Sequence, residues 1–215
     1  MQGLSRGVLI VVEGIDGVGK STLTHNITHT LLSKQLPVVT TREPGITELG
    51  KLIRKMVQDK TVPICAKAEY LLFASNRAQH FEELVIPNLH EKKIVLSDRM
   101  ADSSLVYQGF GRGLDLGALK TINAWCMNDI VPDITIYLQL DPAVAVDRLR
   151  QRGAVLSSFE KEKASFTQKL AVGFETIFAD RDDVLRLDGM RSPEQLTEQA
   201  VNHIMSWIEN NGLCV

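Results

Sequence analysis

Val8-Leu-Ile-Val-Val-Glu13-Gly14-Ile15-Asp16-Gly17-Val18-Gly19-Lys20-Ser21-Thr22 begins as an unbroken apolar run and empties into glycines before helix-forming residues take over. The run reads as a buried strand, and Leu23, Ile27 and Leu31 beyond the glycines read as the apolar face of a helix. Between them, Gly14, Gly19, Lys20 and Ser21 fill the G-x-x-x-x-G-K-[ST] pattern of a phosphate-binding P-loop, in the strand, loop and helix context that the pattern requires. Each residue type has a mechanical reason. Glycines let backbone N–H groups converge on phosphate oxygens, and the helix N-terminus points its partial positive charge at the same place. Lys20 is expected at the β- and γ-phosphates of a nucleoside triphosphate, and the Ser21 hydroxyl on the accompanying Mg²⁺.

Outward from this stretch the chain alternates short β-rich runs with longer helical patterns, the signature of an α/β fold with a mostly parallel sheet covered on both faces. Strands are expected at 8–13, 37–41, 93–97, 133–140 and 184–187. Helical spacing runs over 21–34, 46–58, 66–91 with a break near Pro87, 116–128, 142–151, 164–180 and 193–210. A length of 215 residues fits one domain with a sizeable core, spanning 1–215. A net charge of -2 and 44% hydrophobic composition lack the basic excess of a nucleic-acid binder. Substrate phosphates must then be met by local arginines. Cys65, Cys126 and Cys214 are widely spaced and suggest neither a disulfide framework nor a zinc site, so a reducing cytoplasm is the expected location. The 1–7 segment is too short for a secretion signal, and no apolar stretch approaches a membrane span.

In sheets of this kind ligands collect at the carboxyl ends of the strands. After the second expected strand come Arg42, Glu43 and Pro44, and after the third come Asp98 and Arg99. Asp98 stands where a Walker-B carboxylate holds Mg²⁺, with a turn or helix cap as its ordinary alternative. Arg99 beside it is shaped for bidentate oxyanion binding. Phe73 and Arg77 are four apart and share one helix face. They read either as a base-stacking ring with a hydrogen-bonding arginine, or as a core residue with a solvated flank. His25 and His29 are also four apart, but Asn26 follows His25, so the zinc-protease pattern lacks its glutamate and they read as helix surface. Trp125 and Trp207 read as core or interface. No Asn-Lys-x-Asp-like guanine reader follows a later strand, which removes the GTPase reading.

The ordered set Glu13-Gly-Ile-Asp-Gly-Val-Gly-Lys-Ser-Thr22, Thr41-Arg-Glu-Pro-Gly45, Leu72-Phe-Ala-Ser-Asn-Arg77, Asp98-Arg99, Asp102-Ser-Ser-Leu-Val-Tyr-Gln-Gly109 and Pro132-Asp-Ile-Thr-Ile-Tyr-Leu138 resembles the successive motifs of the bacterial thymidylate kinases. The resemblance implies a P-loop NTPase fold with five strands and a short lid, and transfer of a phosphoryl group from ATP-Mg²⁺ to dTMP. It places ATP on Gly14, Ile15, Asp16, Gly17, Val18, Gly19, Lys20, Ser21 and Thr22, and Mg²⁺ on Ser21 and Asp98. For adenine the candidates are Arg148, on the helix before the lid, as a stacking group, and the segment Asp188-Gly-Met-Arg191 after the fifth expected strand. It places dTMP on Arg42, Glu43, Arg54, Phe73, Arg77, Arg99, Ser103, Ser104, Tyr107 and Gln108. Phe73 would stack on thymine, Arg77 would bond its edge, Arg99 would hold the phosphate, and Tyr107 would crowd C2′. Asp16 would face the 3′-hydroxyl and the acceptor phosphate. Partners are ATP and dTMP, with no nucleic acid or membrane, and the family is typically homodimeric.

The lid, about 151–168, departs from that pattern. Thymidylate kinases place a catalytic arginine either in the P-loop, where this chain has Gly17, or in the lid, yet no arginine occurs from Gly153 to Asp180. The clamp role passes to Arg150, Arg152, Lys161, Lys163 or Lys169, with Arg152 first because it adjoins the hinge glycine Gly153. Met100 and Gln139 depart more mildly, where an aromatic and an Asp or Asn are common. The alternatives are another nucleotide kinase of the same fold and a catalytically weakened nucleotide-binding protein.

Overall fold

The computed structural model describes residues 3–58, 63–151 and 164–213. Five strands, β1 (Val8–Glu13), β2 (Val38–Arg42), β3 (Ile94–Asp98), β4 (Ile134–Gln139) and β5 (Val184–Asp188), form one sheet in the order β2-β3-β1-β4-β5. Every pairing is parallel. The register aligns Val12 with Asp98 and Asp98 with Arg42, so the carboxyl ends of β1, β3 and β2 stop level with one another. The chain leaves β1 toward β2 and leaves β4 toward β5, in opposite directions, which opens a crevice where ligands gather.

Both faces of the central strand are buried, which is why Val8–Glu13 reads as a continuous apolar run. Val8, Ile10 and Val12 face a core built with Leu23, Ile27 and Leu31 of α1 (Lys20–Ser33) and Ala200, Ile204 and Ile208 of α9 (Pro193–Asn210). Leu9 and Val11 face the other way, onto Phe81, Val85, Val95 and Met127. A third cluster joins Tyr70 and Ala74 of α3 (Ala66–His80), Leu105, and Leu119 and Cys126 of α6 (Leu116–Cys126). The remaining helices are α2 (Glu48–Gln58), α4 (Ile86–His90), α5 (Ala101–Ser104), α7 (Pro142–Gln151) and α8 (Ala164–Phe178). Local signals agree with these boundaries: Asp115 caps α6, and Ser192 with Gln195 forms a capping box ahead of Pro193 at the start of α9.

Two helical segments differ from the sequence expectation. The long helical run does not break at Pro87 but widens into a π turn at Phe81–Val85 that leads into α4. A regular α turn would clash with the proline ring, and the wider turn accommodates it. The segment after Asp98-Arg99 folds as α5 followed by a second π turn, Leu105–Gly111, which no periodicity announced.

Candidate active site

Gly19, with φ of 104°, precedes α1, and no side chain caps that helix, so its first-turn N–H groups stay available to an anion. Lys20 is buried, and its Nζ donates to the Ile15 carbonyl at 2.8 Å. Burial and the neighbouring Arg99 push its pKa down to about 8, against the pull of Asp16 and Asp98. Ser21 Oγ donates to Asp98 Oδ2 at 2.6 Å, so the start of α1 and the end of β3 bring two hard oxygens together. That donor set suits Mg²⁺, which takes one or two protein oxygens and completes its shell with phosphate and water.

Arg99 is the hub. It sits at φ of 72°, a left-handed conformation costly for a non-glycine residue, and is held there by its N–H on the Val12 carbonyl at 3.0 Å. Its Nη1 donates to the Gly14 carbonyl and to Ser103 Oγ, at 3.0 and 2.8 Å. Its Nη2 donates to Asp16 Oδ1 at 2.6 Å and to the Tyr107 hydroxyl at 3.0 Å. The Tyr107 hydroxyl in turn donates to Asp16 Oδ2 at 2.9 Å. Burial pushes the Asp16 carboxyl up, but Arg99, Lys20 and Tyr107 outweigh it and hold Asp16 below the usual carboxylate range. Behind Arg99, the fully buried Glu13 accepts from the backbone N–H groups of Met100 and Ser103 and from the Ser103 hydroxyl. Burial pushes Glu13 up to about 7 despite Arg99. Glu13 thus fixes the turn that aims Arg99.

A cleft of about 370 Å³ joins these groups, lined among others by Asp16, Gly17, Lys20, Ser21, Thr22, Arg42, Glu43, Arg54, Asp98, Arg99 and Arg148. Arg54 Nη1 donates to the Pro44 carbonyl at 3.0 Å, and burial with Arg42 beside it lowers its pKa. Five cationic side chains against three carboxylates make a cleft suited to polyanions.

A second, dry cluster lies next to the first. Arg77 is 1% exposed, which removes the solvated-flank reading. Its Nη1 donates to Asn123 Oδ1 at 2.6 Å, and its Nη2 donates to Ser104 Oγ and to the Met100 carbonyl, both at 3.1 Å. Glu43 pairs with it at 2.8 Å. Burial pushes the Glu43 carboxyl up, but Arg77 and His80 bring it below its ordinary value. Phe73 is half-buried one turn before Arg77, and Gln108 Nε2 donates to Glu69 at 3.0 Å. Arg148 is half-buried on α7, while Arg152, Lys161 and Lys163 lie outside the described residues. Arg150 and Lys169 are exposed. Asn123, His80 and the inward Glu13 carboxylate were not found from sequence. Only His80 left a signal, three residues after Arg77 on the same helix face.

A sequence model of the family described as thymidylate kinase matches residues 12–200. The chain belongs to the thymidylate kinase family. It is 40% identical to a thymidylate kinase of Carboxydothermus hydrogenoformans, over 89% of this chain and 93% of the relative. It is 39% identical to one of Halothermothrix orenii, over 93% and 97% of the two chains, and 38% identical to one of Acinetobacter baumannii, over 92% and 100%. The all-parallel five-stranded sheet, with a P-loop after its central strand, agrees with the fold the motifs implied. The polyanion cleft and the buried Arg77 cluster adjoin through Glu43, which belongs to both.

Proposed function

We propose that the chain is a dTMP kinase that moves the terminal phosphoryl of ATP onto dTMP, giving ADP and dTDP. The observation that carries this reading is the Arg99, Asp16 and Tyr107 cluster between the P-loop and the buried Arg77. It supports the reading in which Arg99 meets an acceptor phosphate next to the triphosphate, one short helix away from Arg77, the proposed reader of the base. Phosphoryl transfer asks mainly for positioning and charge neutralisation. The loop amides and Lys20 hold the ATP phosphates, and Arg99, with Arg42 and Arg54, holds the acceptor phosphate in line. That acceptor oxygen is already anionic, so no general base is required. Asp16 keeps Arg99 aimed and faces the sugar, and Tyr107 occupies the space a 2′-hydroxyl needs. Phe73 stacks on the base, Arg77 bonds its edge, and Ser103, Ser104 and Gln108 complete the pocket. The Nε–H of Arg77 is buried without an acceptor among the described residues, and a base carbonyl is the kind of group that satisfies it.

Ser21 and Asp98 hold Mg²⁺, which supplies charge neutralisation on the transferring phosphates. Arg148 stacks on adenine. The chain works as one domain whose segment 151–168 is the lid, with Arg152 as the clamp. Among the described residues no helix is long and apolar enough to cross a membrane, and the proposed location is cytoplasmic. A homodimer completes the proposal: α2 packs on α3 and α3 on α6, and these three neighbours leave Leu52, Met56, Leu71 and Trp125 exposed.

The test is a coupled ADP-release assay with ATP-Mg²⁺ and dTMP, dUMP, dCMP, dGMP, AMP or thymidine, run beside Arg77→Ala. We expect strong preference for dTMP and a loss of about 100-fold in kcat/KM for dTMP in the variant, the scale of a buried charged hydrogen bond. Every acceptor inert while ATP still binds would point instead to a nucleotide-binding protein.

A further inference from the structure

The Glu43 carboxylate is shared between two partners on one helix face. One oxygen lies 2.8 Å from the Arg77 guanidinium, and the other lies 2.9 Å from His80 Nδ1. His80 Nε2 lies 2.6 Å from Thr41 Oγ1. All four residues are buried, His80 completely. An ionised carboxylate only accepts, so Nδ1 carries the hydrogen, and in the neutral ring Nε2 accepts the Thr41 hydroxyl proton. Without His80, one oxygen of a buried charge would lose its donor, a large cost in a dry interior.

The sequence positions give this bridge its meaning. Thr41 and Glu43 flank Arg42, which lines the phosphate cleft, and His80 stands one turn after Arg77. His80 therefore ties both sides of Arg42 to the helix that carries Arg77. We propose that His80 is a positioning residue for the acceptor nucleotide: it fixes Glu43, and through Glu43 the aim of Arg77, so that base and phosphate are gripped in one set relation. This rests on the reading of Arg77 as the base-contacting group.

The experiment measures KM for dTMP, KM for ATP, kcat, and the dTMP-to-dCMP preference in His80→Gln, His80→Asn, Thr41→Val, Arg77→Ala and the His80→Gln/Arg77→Ala double variant. Cytosine presents an amino donor where thymine presents a carbonyl, so preference reports the aim of Arg77. We expect His80→Gln to raise KM for dTMP about tenfold and to cut the preference about tenfold, leaving KM for ATP within about twofold. His80→Asn keeps a donor near the Nδ1 position and should stay within about threefold of the parent on every measure. Thr41→Val, which preserves shape, should raise KM for dTMP alone by about threefold, and it carries the test if His80→Gln does not fold. In the Arg77→Ala background His80→Gln should add nothing, because the two act as a unit. A folded His80→Gln with unchanged KM for dTMP and unchanged preference, or one that raises both KM values alike, overturns the proposal. If Arg77→Ala leaves the preference intact, the base-reading assignment falls and this inference with it. If Arg77→Ala abolishes preference while His80→Gln is silent, only the role of His80 falls.

Discussion

Gly17 shows how a single position sets a design choice. Its φ is 89°, and a Cβ there would lie 2.4 Å from the Ala145 carbonyl oxygen and 2.9 Å from Leu149 Cγ, both on α7. The phosphate loop and α7 touch backbone to backbone at this point, so a side chain requires α7 to move. The resemblance offered two homes for a catalytic arginine, and packing closes the one in the loop. Gly17→Arg should therefore not accelerate the reaction. We expect steady-state kinetics to give a KM for ATP raised at least about tenfold and a lower kcat, from strain at a positive φ and displacement of α7. A faster Gly17→Arg enzyme would contradict this packing argument. Legibility varies at the same scale. Lys20, Asp98 and Arg99 were readable because strand ends and the glycine pattern announce them. The burial of Arg77 was not, because it depends on Glu43, far away in the chain, and spacing on α3 alone favours a solvated flank. Glu13 stands in the sequence as the end of a strand and the first residue of the P-loop motif, with no sign that its inward carboxylate holds the turn before Ser103.

The π turn Leu105–Gly111 is the element that periodicity could not find. Leu105, Val106, Tyr107, Gln108 and Gly109 are consecutive and all buried, whereas an amphipathic α-helix would return some of them to solvent. The widened turn lets Tyr107 reach Asp16 and Arg99 while Gln108 reaches Glu69. The other element in question is the proposed lid, for which composition is the guide. An arginine-free run from Gly153 to Asp180 leaves lysines or Arg152 to meet developing charge, and lysine is the poorer partner at a bidentate site. We propose that turnover is low beside relatives that carry a lid arginine. Ser157→Arg should then raise kcat about tenfold or more, with KM for dTMP within about twofold, since an arginine clamp acts in the transition state. An unchanged kcat in Ser157→Arg, measured at saturating ATP-Mg²⁺ and dTMP, would retire the idea.

For the molecule as a whole, the strand count and the two-sided cover were legible in alternating patterns, because a buried parallel sheet needs apolar strands and crossover helices. What patterns could not say is which surface stays apolar after folding. Trp125 is 79% exposed on α6, Leu71 is exposed on α3, which packs against α6, and Leu52 and Met56 are exposed on α2, which packs against α3. The Arg77 cluster lies beneath those helices. Asn123, two residues before Trp125, is buried and accepts from Arg77 at 2.6 Å and from the Tyr70 hydroxyl at 3.0 Å. A second copy of the chain covering this face would press on the helices that carry Arg77 and Asn123, so assembly and base recognition should be linked. Trp125→Glu places a charge within the proposed contact without touching the core. Light scattering should then report a monomer, against the dimer proposed for the parent, with a native circular dichroism spectrum and a KM for dTMP raised about threefold to tenfold. KM for ATP should hold, because the P-loop and α1 lie on other elements. A dimeric Trp125→Glu protein would move the interface elsewhere, and a monomer with unaltered KM for dTMP would separate assembly from the site.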